Sequence, residues 1–456
     1  MPAVCLLVLA AFYIALFGLY RAYEIDNPWY LSFSRSYWVD HFTGDKFLNG
    51  IFPDGMGGTV VFGRLAALLQ GIALHRFGWR PEPALWFSVT LVLLGLGLWY
   101  RFLRQSGWGV ASSSALILAL GLTEPFVSMA NRFRFEPLSF VLFSATFLLA
   151  AQRRCTLAIA VGFLAVETEP AAGIIAISAI FLVSRMEGWT GKLLLRILFG
   201  GACFAIVYLS LHPDITSVLR GTDWHRGAGQ RQIGGFLTAY FLERKRHLPE
   251  LLFFLGIFFF YFRSRAQMSA LVRRMAEVTG LVCLFSFVMN WPTPAYMIFF
   301  FPPALVVAAG VMQVRYKTVW LLPTFIALLM LPQYCAVAYL NRGESYRDED
   351  LKAVNDLILG SEQKLGLLDS RTEIMGDYSL WFAHPSHYRA LAKPTLAQIP
   401  NEDLFLCFDG PIRPAVMVDQ IVRYCGDVRD RIAVREVGQM TVRGHLLRVL
   451  APDRMP

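Results

Sequence analysis

Two carboxylates stand just past the first apolar run, in Tyr23-Glu24-Ile25-Asp26-Asn27-Pro28-Trp29-Tyr30-Leu31. In partly dehydrated surroundings such a carboxylate serves as a general base. The same residues also make a solvated loop and a helix start, since Asp26-Asn27-Pro28 is a good cap. A second stretch, Asn131-Arg132-Phe133-Arg134-Phe135-Glu136-Pro137, sets two arginines and a glutamate between apolar runs. A guanidinium fork donates paired hydrogen bonds to phosphate oxygens, so Arg132 and Arg134 are candidate phosphate binders beside Glu136. An interfacial salt-bridge cluster is the plainer reading.

Glu167-Thr168-Glu169-Pro170 closes another apolar run. Acids facing lipid are costly, so these point to a polar cavity, with Glu169 as a candidate lining residue, or to a helix end capped by Thr168. The longest polar stretch, 212–248, holds His212, Asp214, Arg220, Asp223, Trp224, His225, Arg226, Arg231 and Arg244-Lys245-Arg246, with Gly227, Gly229, Gly234 and Gly235 interspersed. Arg220, His225, Arg226 and Arg231 are candidates to close over an anionic headgroup. A solvated loop beside acidic lipids is the alternative. Asn290-Trp291-Pro292-Thr293-Pro294-Ala295-Tyr296 reads as a tight turn in an aromatic belt, with a contribution to the cavity wall as the alternative.

No histidine pair has helical metal spacing, so a protein metal site is unsupported, with a divalent ion left open. Cys5, Cys155, Cys203, Cys283 and Cys335 lie in apolar runs as small core residues. Cys407 and Cys425 could pair if their segment is extracytoplasmic, with two free cysteines as the alternative. Neither a Gly-x-x-x-x-Gly-Lys-Ser/Thr loop nor a Gly-x-Ser-x-Gly elbow is present.

The elements that must position these groups are transmembrane helices. Of 456 residues, 56% are hydrophobic and only 16% charged, against about 25% charged in soluble domains. A span needs about 20 apolar residues. The apolar runs 3–20, 84–102, 109–127, 137–151, 155–170, 171–184, 193–211, 249–262, 277–290, 295–312 and 318–339 give about eleven spans of an all-α polytopic protein. Thr59–Leu74, broken by Arg64 and Gln70, is read as an interfacial helix. With that parity, Arg101/Arg104, Arg153/Arg154, Arg185–Arg196, Arg263–Arg274 and Arg315/Lys317 share one side, which the preference for basic residues makes cytoplasmic. The net charge of +9 sits at span ends, which excludes nucleic acid as the partner and names the membrane instead. The stretches rich in acids, arginines and histidines then face outward. Val4–Tyr20 has neither a basic leader nor a small-residue cleavage site and reads as an uncleaved span.

Residues 1–340 thus form the membrane domain and 341–456 an extracytoplasmic (periplasmic) α/β domain. Leu365–Leu368, Leu404–Phe408, Ile432–Val434 and Leu446–Leu450 are expected strands; Asp350–Leu359 and Ala415–Tyr424 are expected helices. Trp381, His384, His387 and Tyr388 are candidates to face the membrane cavity.

This layout resembles the GT-C glycosyltransferases, of the protein mannosyltransferase and aminoarabinose transferase type. The resemblance rests on Glu24 and Asp26 after the first span, on Gly57-Gly58-Thr59 to Leu74 with Arg76-Phe77-Gly78, on Arg132 to Pro137, and on Glu169-Pro170. It implies transfer of a sugar from a polyprenyl-phosphate donor to a glycan, lipid or protein hydroxyl at the outer face of the cytoplasmic membrane, with inversion. Asp26, or alternatively Glu24, would be the base. The rival readings are a transporter or flippase of a lipid-linked sugar, a polymer ligase and a non-catalytic assembly subunit.

Overall fold

The computed structural model describes residues 1–20, 26–39, 41, 62–214, 216, 234–242, 247–289, 293–340, 348–367, 374–389, 403–410 and 422–453. Helices α1 (Pro2–Tyr20), α2 (Asp26–Trp38), α3 (Arg64–Phe77), α4 (Pro81–Gln105), α5 (Val110–Gly121), α6 (Glu124–Asn131), α7 (Glu136–Ala151), α8 (Cys155–Thr168), α9 (Gly173–Glu187) and α10 (Gly191–Leu211) are followed by α11 (Gly235–Phe241), α12 (Leu248–Ser264), α13 (Ala270–Met289), α14 (Phe301–Tyr316) and α15 (Leu321–Leu340). Two of these, Pro81–Gln105 and Gly191–Leu211, are long and apolar enough to cross a membrane, and α5 with α6 forms a further candidate bent by 65°. Leu194, Leu195, Leu198 and Phe199 on α10, and Leu252, Leu255, Phe259 and Phe262 on α12, are exposed. So broad an apolar surface is cheap only against hydrocarbon.

Punctuation in the sequence sets the helix ends. Pro81 occupies the first turn of α4, where its missing N–H costs nothing. Thr123 and Pro125 break α5 from α6, and Pro137 opens α7 behind Glu136. At fourteen residues, α3 is about 21 Å long, and Arg64 and Gln70 are buried along it. It packs against α2, where Gly71 lies under the Trp38 indole and has no room for a Cβ.

The interior is aromatic. Trp99 of α4 meets Phe102, Phe143 and Phe147, its ring centroid 4.7 Å, 5.5 Å and 5.2 Å from theirs. Gly95 lets α4 approach the Phe140 ring of α7 closely, the small-residue contact by which membrane helices associate. Contacts at the helix ends fix two faces of the bundle. Glu136, Glu169, His212 and the start of α4 lie at one end. Gln105, Arg153, Glu187 and Ala270 meet at the other.

Beyond α15 come α16 (Asp348–Lys364), β1 (Ile374–Gly376), β2 (Tyr388–Arg389), β3 (Leu404–Phe408), α17 (Cys425–Arg429), β4 (Val434–Val442) and β5 (His445–Pro452). They form one sheet of order β2-β1-β3-β5-β4, parallel on the β2-β1-β3 side and antiparallel on the other. Cys407 of β3 and Cys425 of α17 form a disulfide.

The expected strands at 404–408 and 446–450 are present, and the expected helix at 350–359 lies within α16. Two expectations fail in part. Leu365 and Gly366 turn off the end of α16 instead of starting a strand, and β4 runs from Val434 onward, so that Ile432–Val434 supplies only its first residue. Of the helix expected at 415–424, residues 422–424 are not helical, with Tyr424 bridged to Phe408, and the rest lies outside the described residues. Short apolar runs carry too little periodicity to separate these states.

Candidate active site

The chain leaves α6 extended at Arg132 and turns into α7 through Arg134, Phe135 and Glu136. The Arg134 Nε lies 2.5 Å from the Glu136 Oε1, with side-chain exposures of 11% and 3%. The contact is charge to charge, without the alignment of a hydrogen bond. The Arg134 guanidinium also covers the Tyr30 ring of α2, 5.3 Å from its centroid, where ring and cation attract. Glu169, extended beyond the last turn of α8, is buried within electrostatic reach of Glu136, Arg134 and Tyr296. One guanidinium therefore faces two buried carboxylates. The Glu169 side chain lies within hydrogen-bonding reach of Glu136 and of the Tyr296 hydroxyl, though neither contact is well aligned. Buried acids so loosely held are able to accept from hydroxyl or N–H donors.

Arg132, Arg134 and Glu136 line a cleft with Glu124, Pro125, Ser128 and Met129 of α6 and with Pro294 and Ala295. The cleft is narrow, with about 20 Å³ of enclosed water-sized space. Asp26 is the first residue of α2 and stands one turn before Tyr30. The side chain of Asp26 lies outside the described residues, as do Glu24, Gly57 to Thr59, Arg220, His225, Arg226, Arg231 and Arg244 to Arg246. Of the expected site residues, the structure thus brings together Arg132, Arg134, Glu136 and Glu169, and starts the α2 helix beside them.

The two acids of Glu167-Thr168-Glu169 have different work. Glu167 caps α3. Its carboxylate accepts from the Arg64 N–H at 2.8 Å and the Leu65 N–H at 3.1 Å, and its carbonyl accepts from the Gly63 N–H at 2.5 Å. An acid at this positive helix end is stabilised by the dipole. Gly63 permits it by adopting φ 85° directly over the Phe135 ring. His212 donates from Nε2 to Glu167 at 3.2 Å, and burial, followed by the Arg64 charge, pushes its pKa down to about 3, so this contact is between a neutral imidazole and the acid. Thr168 donates to the Ala165 carbonyl at 2.6 Å, the helix-end role expected of it.

A buried polar network that the sequence reading did not single out lies behind the cleft. The Tyr240 hydroxyl donates to Glu250 at 2.7 Å, and His247 Nδ1 lies 2.8 Å from both Glu250 and the Gln333 amide. Glu124, on the cleft wall, is within electrostatic reach of Tyr240. The available signal was Glu250 and Gln333 standing inside apolar runs.

The tail meets the same end of the bundle. Phe382 packs edge-on against Phe133, ring centroids 6.1 Å apart, and the Tyr378–Ala383 turn contacts α2. Tyr296, expected in an aromatic-belt turn, is instead buried beside Glu169. Trp381 and Tyr388 are buried in the tail core, and His384 Nδ1 lies 2.9 Å from Asn355. Among the described residues no three His, Cys, Asp or Glu side chains are grouped to hold a metal ion.

Two of the solved structures that match cover nearly the whole chain. Crystal structures of ArnT from Cupriavidus metallidurans superpose with a TM-score of 0.59 at 13% identity for the form bound to undecaprenyl phosphate, and 0.56 at 14% for the apo form. The first alignment covers 97% of both chains and the second 98%. The fold is that of ArnT. In this chain the ArnT fold carries the cleft at the bundle end that meets the tail. No family model and no curated protein matches the sequence.

Proposed function

We propose that this chain transfers a sugar from a polyprenyl-phosphate donor to a hydroxyl acceptor at the outer face of the cytoplasmic membrane. The observation that carries this reading is the buried Arg134–Glu136–Glu169 cluster, placed beside the start of α2 and walled by Arg132. Undecaprenyl phosphate bound to an ArnT of the same fold supports the donor class. The Cys407–Cys425 disulfide supports an oxidising, extracytoplasmic setting for the tail at 341–456. The basic connections, gathered at the opposite end, support a cytoplasmic face there and eleven crossings.

In this mechanism Asp26, with Glu24 as the alternative, takes the proton from the acceptor hydroxyl. The freed oxygen attacks the anomeric carbon, the bond to the phosphate oxygen breaks, and the anomeric centre inverts. The lipid phosphate leaves with its electron pair and needs positive charge, not a proton; Arg132 and Arg134 supply it. Glu136 and Glu169 accept hydrogen bonds from sugar hydroxyls and fix the ring. A flippase or transporter would call for repeat-related broken helices, and the acids here sit at helix ends instead.

The deciding experiment measures transfer from a polyprenyl-phosphate pentose or hexose by the purified chain in liposomes. Asp26→Asn should lower the rate by about 10²–10⁴ with unchanged thermal unfolding. A folded Asp26→Asn and Glu24→Gln double variant with full transfer would overturn the assignment.

A further inference from the structure

At the end of the bundle opposite the cleft, five helix ends surround a second, larger cavity of about 440 Å³. Its walls are Gln105 and Ser106 after α4, Ala151 and Arg153 after α7, Cys155, the last turn of α9 with Arg185 and Glu187, and Ala270, Leu271 and Arg274 of α13. It is one α7 length, about 24 Å, from Glu136. It has no part in the transfer site.

The charges are unbalanced. Arg196 pairs with Glu187, and Arg185 pairs with Glu277 at 3.2 Å. Arg153 and Arg274 have no side-chain partner among the described residues. The cavity is a size typical of ligand sites and polar on its walls. Exposed Leu194, Leu195 and Leu198 stand on α10 around Arg196, whose partner Glu187 is on the cavity wall, and Trp189, 79% exposed, stands between α9 and α10 as an interfacial anchor. An exposed apolar helix face beside a basic pocket at helix ends matches one molecule in both its halves: acyl chains on α10, and an anionic headgroup against the arginines.

We infer that this cavity binds the phosphate headgroup of an anionic phospholipid of the bilayer, through Arg153 and Arg274. The competing account is that these arginines only offset the negative ends of α4, α7 and α9.

The two accounts separate in native mass spectrometry of the full chain in detergent, titrated with phosphatidylglycerol and with phosphatidylcholine. The expected result is retention of phosphatidylglycerol at about tenfold lower concentration. The double variant Arg153→Ala, Arg274→Ala should erase that preference. Lys317→Ala, at the same end of the bundle but outside the cavity, should keep it. If the double variant fails to fold, the exposed single change Arg274→Gln must still cut the preference severalfold. Equal binding of the two lipids, a preference unmoved by the cavity variants, or an equal loss in Lys317→Ala overturns the site. So does inorganic phosphate raising the unfolding temperature as much as phosphatidylglycerol does, since the ligand would then be a soluble anion.

Discussion

Arg134 is the positive charge that Glu136 and Glu169 have in common, 2.5 Å from the first and within electrostatic reach of the second. Removing it leaves two adjacent acids buried without a counter-charge. Breaking a buried pair costs about 3–5 kcal/mol. Arg134→Ala should therefore lower both the unfolding temperature and the transfer rate. Arg134→Leu combined with Glu136→Leu should regain stability while transfer stays lost. Parallel thermal unfolding and transfer assays check this, and recovery of activity in the double variant would rule the cluster out of the site.

Glu167 and Glu169 should separate by assay. Glu167→Gln weakens two backbone hydrogen bonds that cap α3, and should cost about 1–3 kcal/mol of stability. The folded fraction should keep its kcat. Glu169→Gln should keep most of its stability and lose transfer, with a raised KM for the donor. Unfolding curves beside steady-state kinetics distinguish the two.

The Cys407–Cys425 bridge closes a separation of 18 residues, and such a loop stabilises by about 3 kcal/mol. Cys407→Ser should lower the unfolding temperature of the tail, and a reducing agent should do the same to the wild type but not to the variant. Thiol labelling of denatured, unreduced protein should spare both cysteines.

The tail should weaken in acid. Burial first, then the neighbouring His387 and Arg35, lowers the His384 pKa from 6.5 to about 4. Between those values the unfolded chain binds a proton that the folded chain refuses. The stabilisation is therefore complete above pH 6.5 and is lost as pH falls toward 4, with a ceiling of roughly 3 kcal/mol before allowance for solvent screening. His384→Gln should flatten the dependence of unfolding temperature on pH across that window.

Much of this was legible because apolar runs and prolines are local signals. The Arg132–Pro137 stretch announced charges at a helix end that had to be paired, whereas the run 109–127, expected as one span, is split at Thr123 and Pro125 into α5 and α6. What could not be read was the partner of each charge. Glu167 and Glu169 are two residues apart, yet one still follows the helix to reach α3 and the other has left it for Arg134. The Gln333–His247 contact joins positions 86 residues apart, and no local pattern encodes such a meeting. In the tail, Leu365 lost its strand because it closes the end of α16, its N–H bonded to the Ser361 and Glu362 carbonyls, while three-residue β1 is too short to show alternation.

The Phe133–Phe382 contact also has a consequence for biosynthesis. Phe133 sits between the two arginines of the cleft, and its packing partner follows it by more than half the chain. Ribosomes deliver the helices first, so the lip of the cleft waits for a ring translated long after it. A product stalled before residue 382 would already hold Phe133 against Phe17 and its carbonyl on the Gln70 amide, and would lack the Phe382 ring that closes over it.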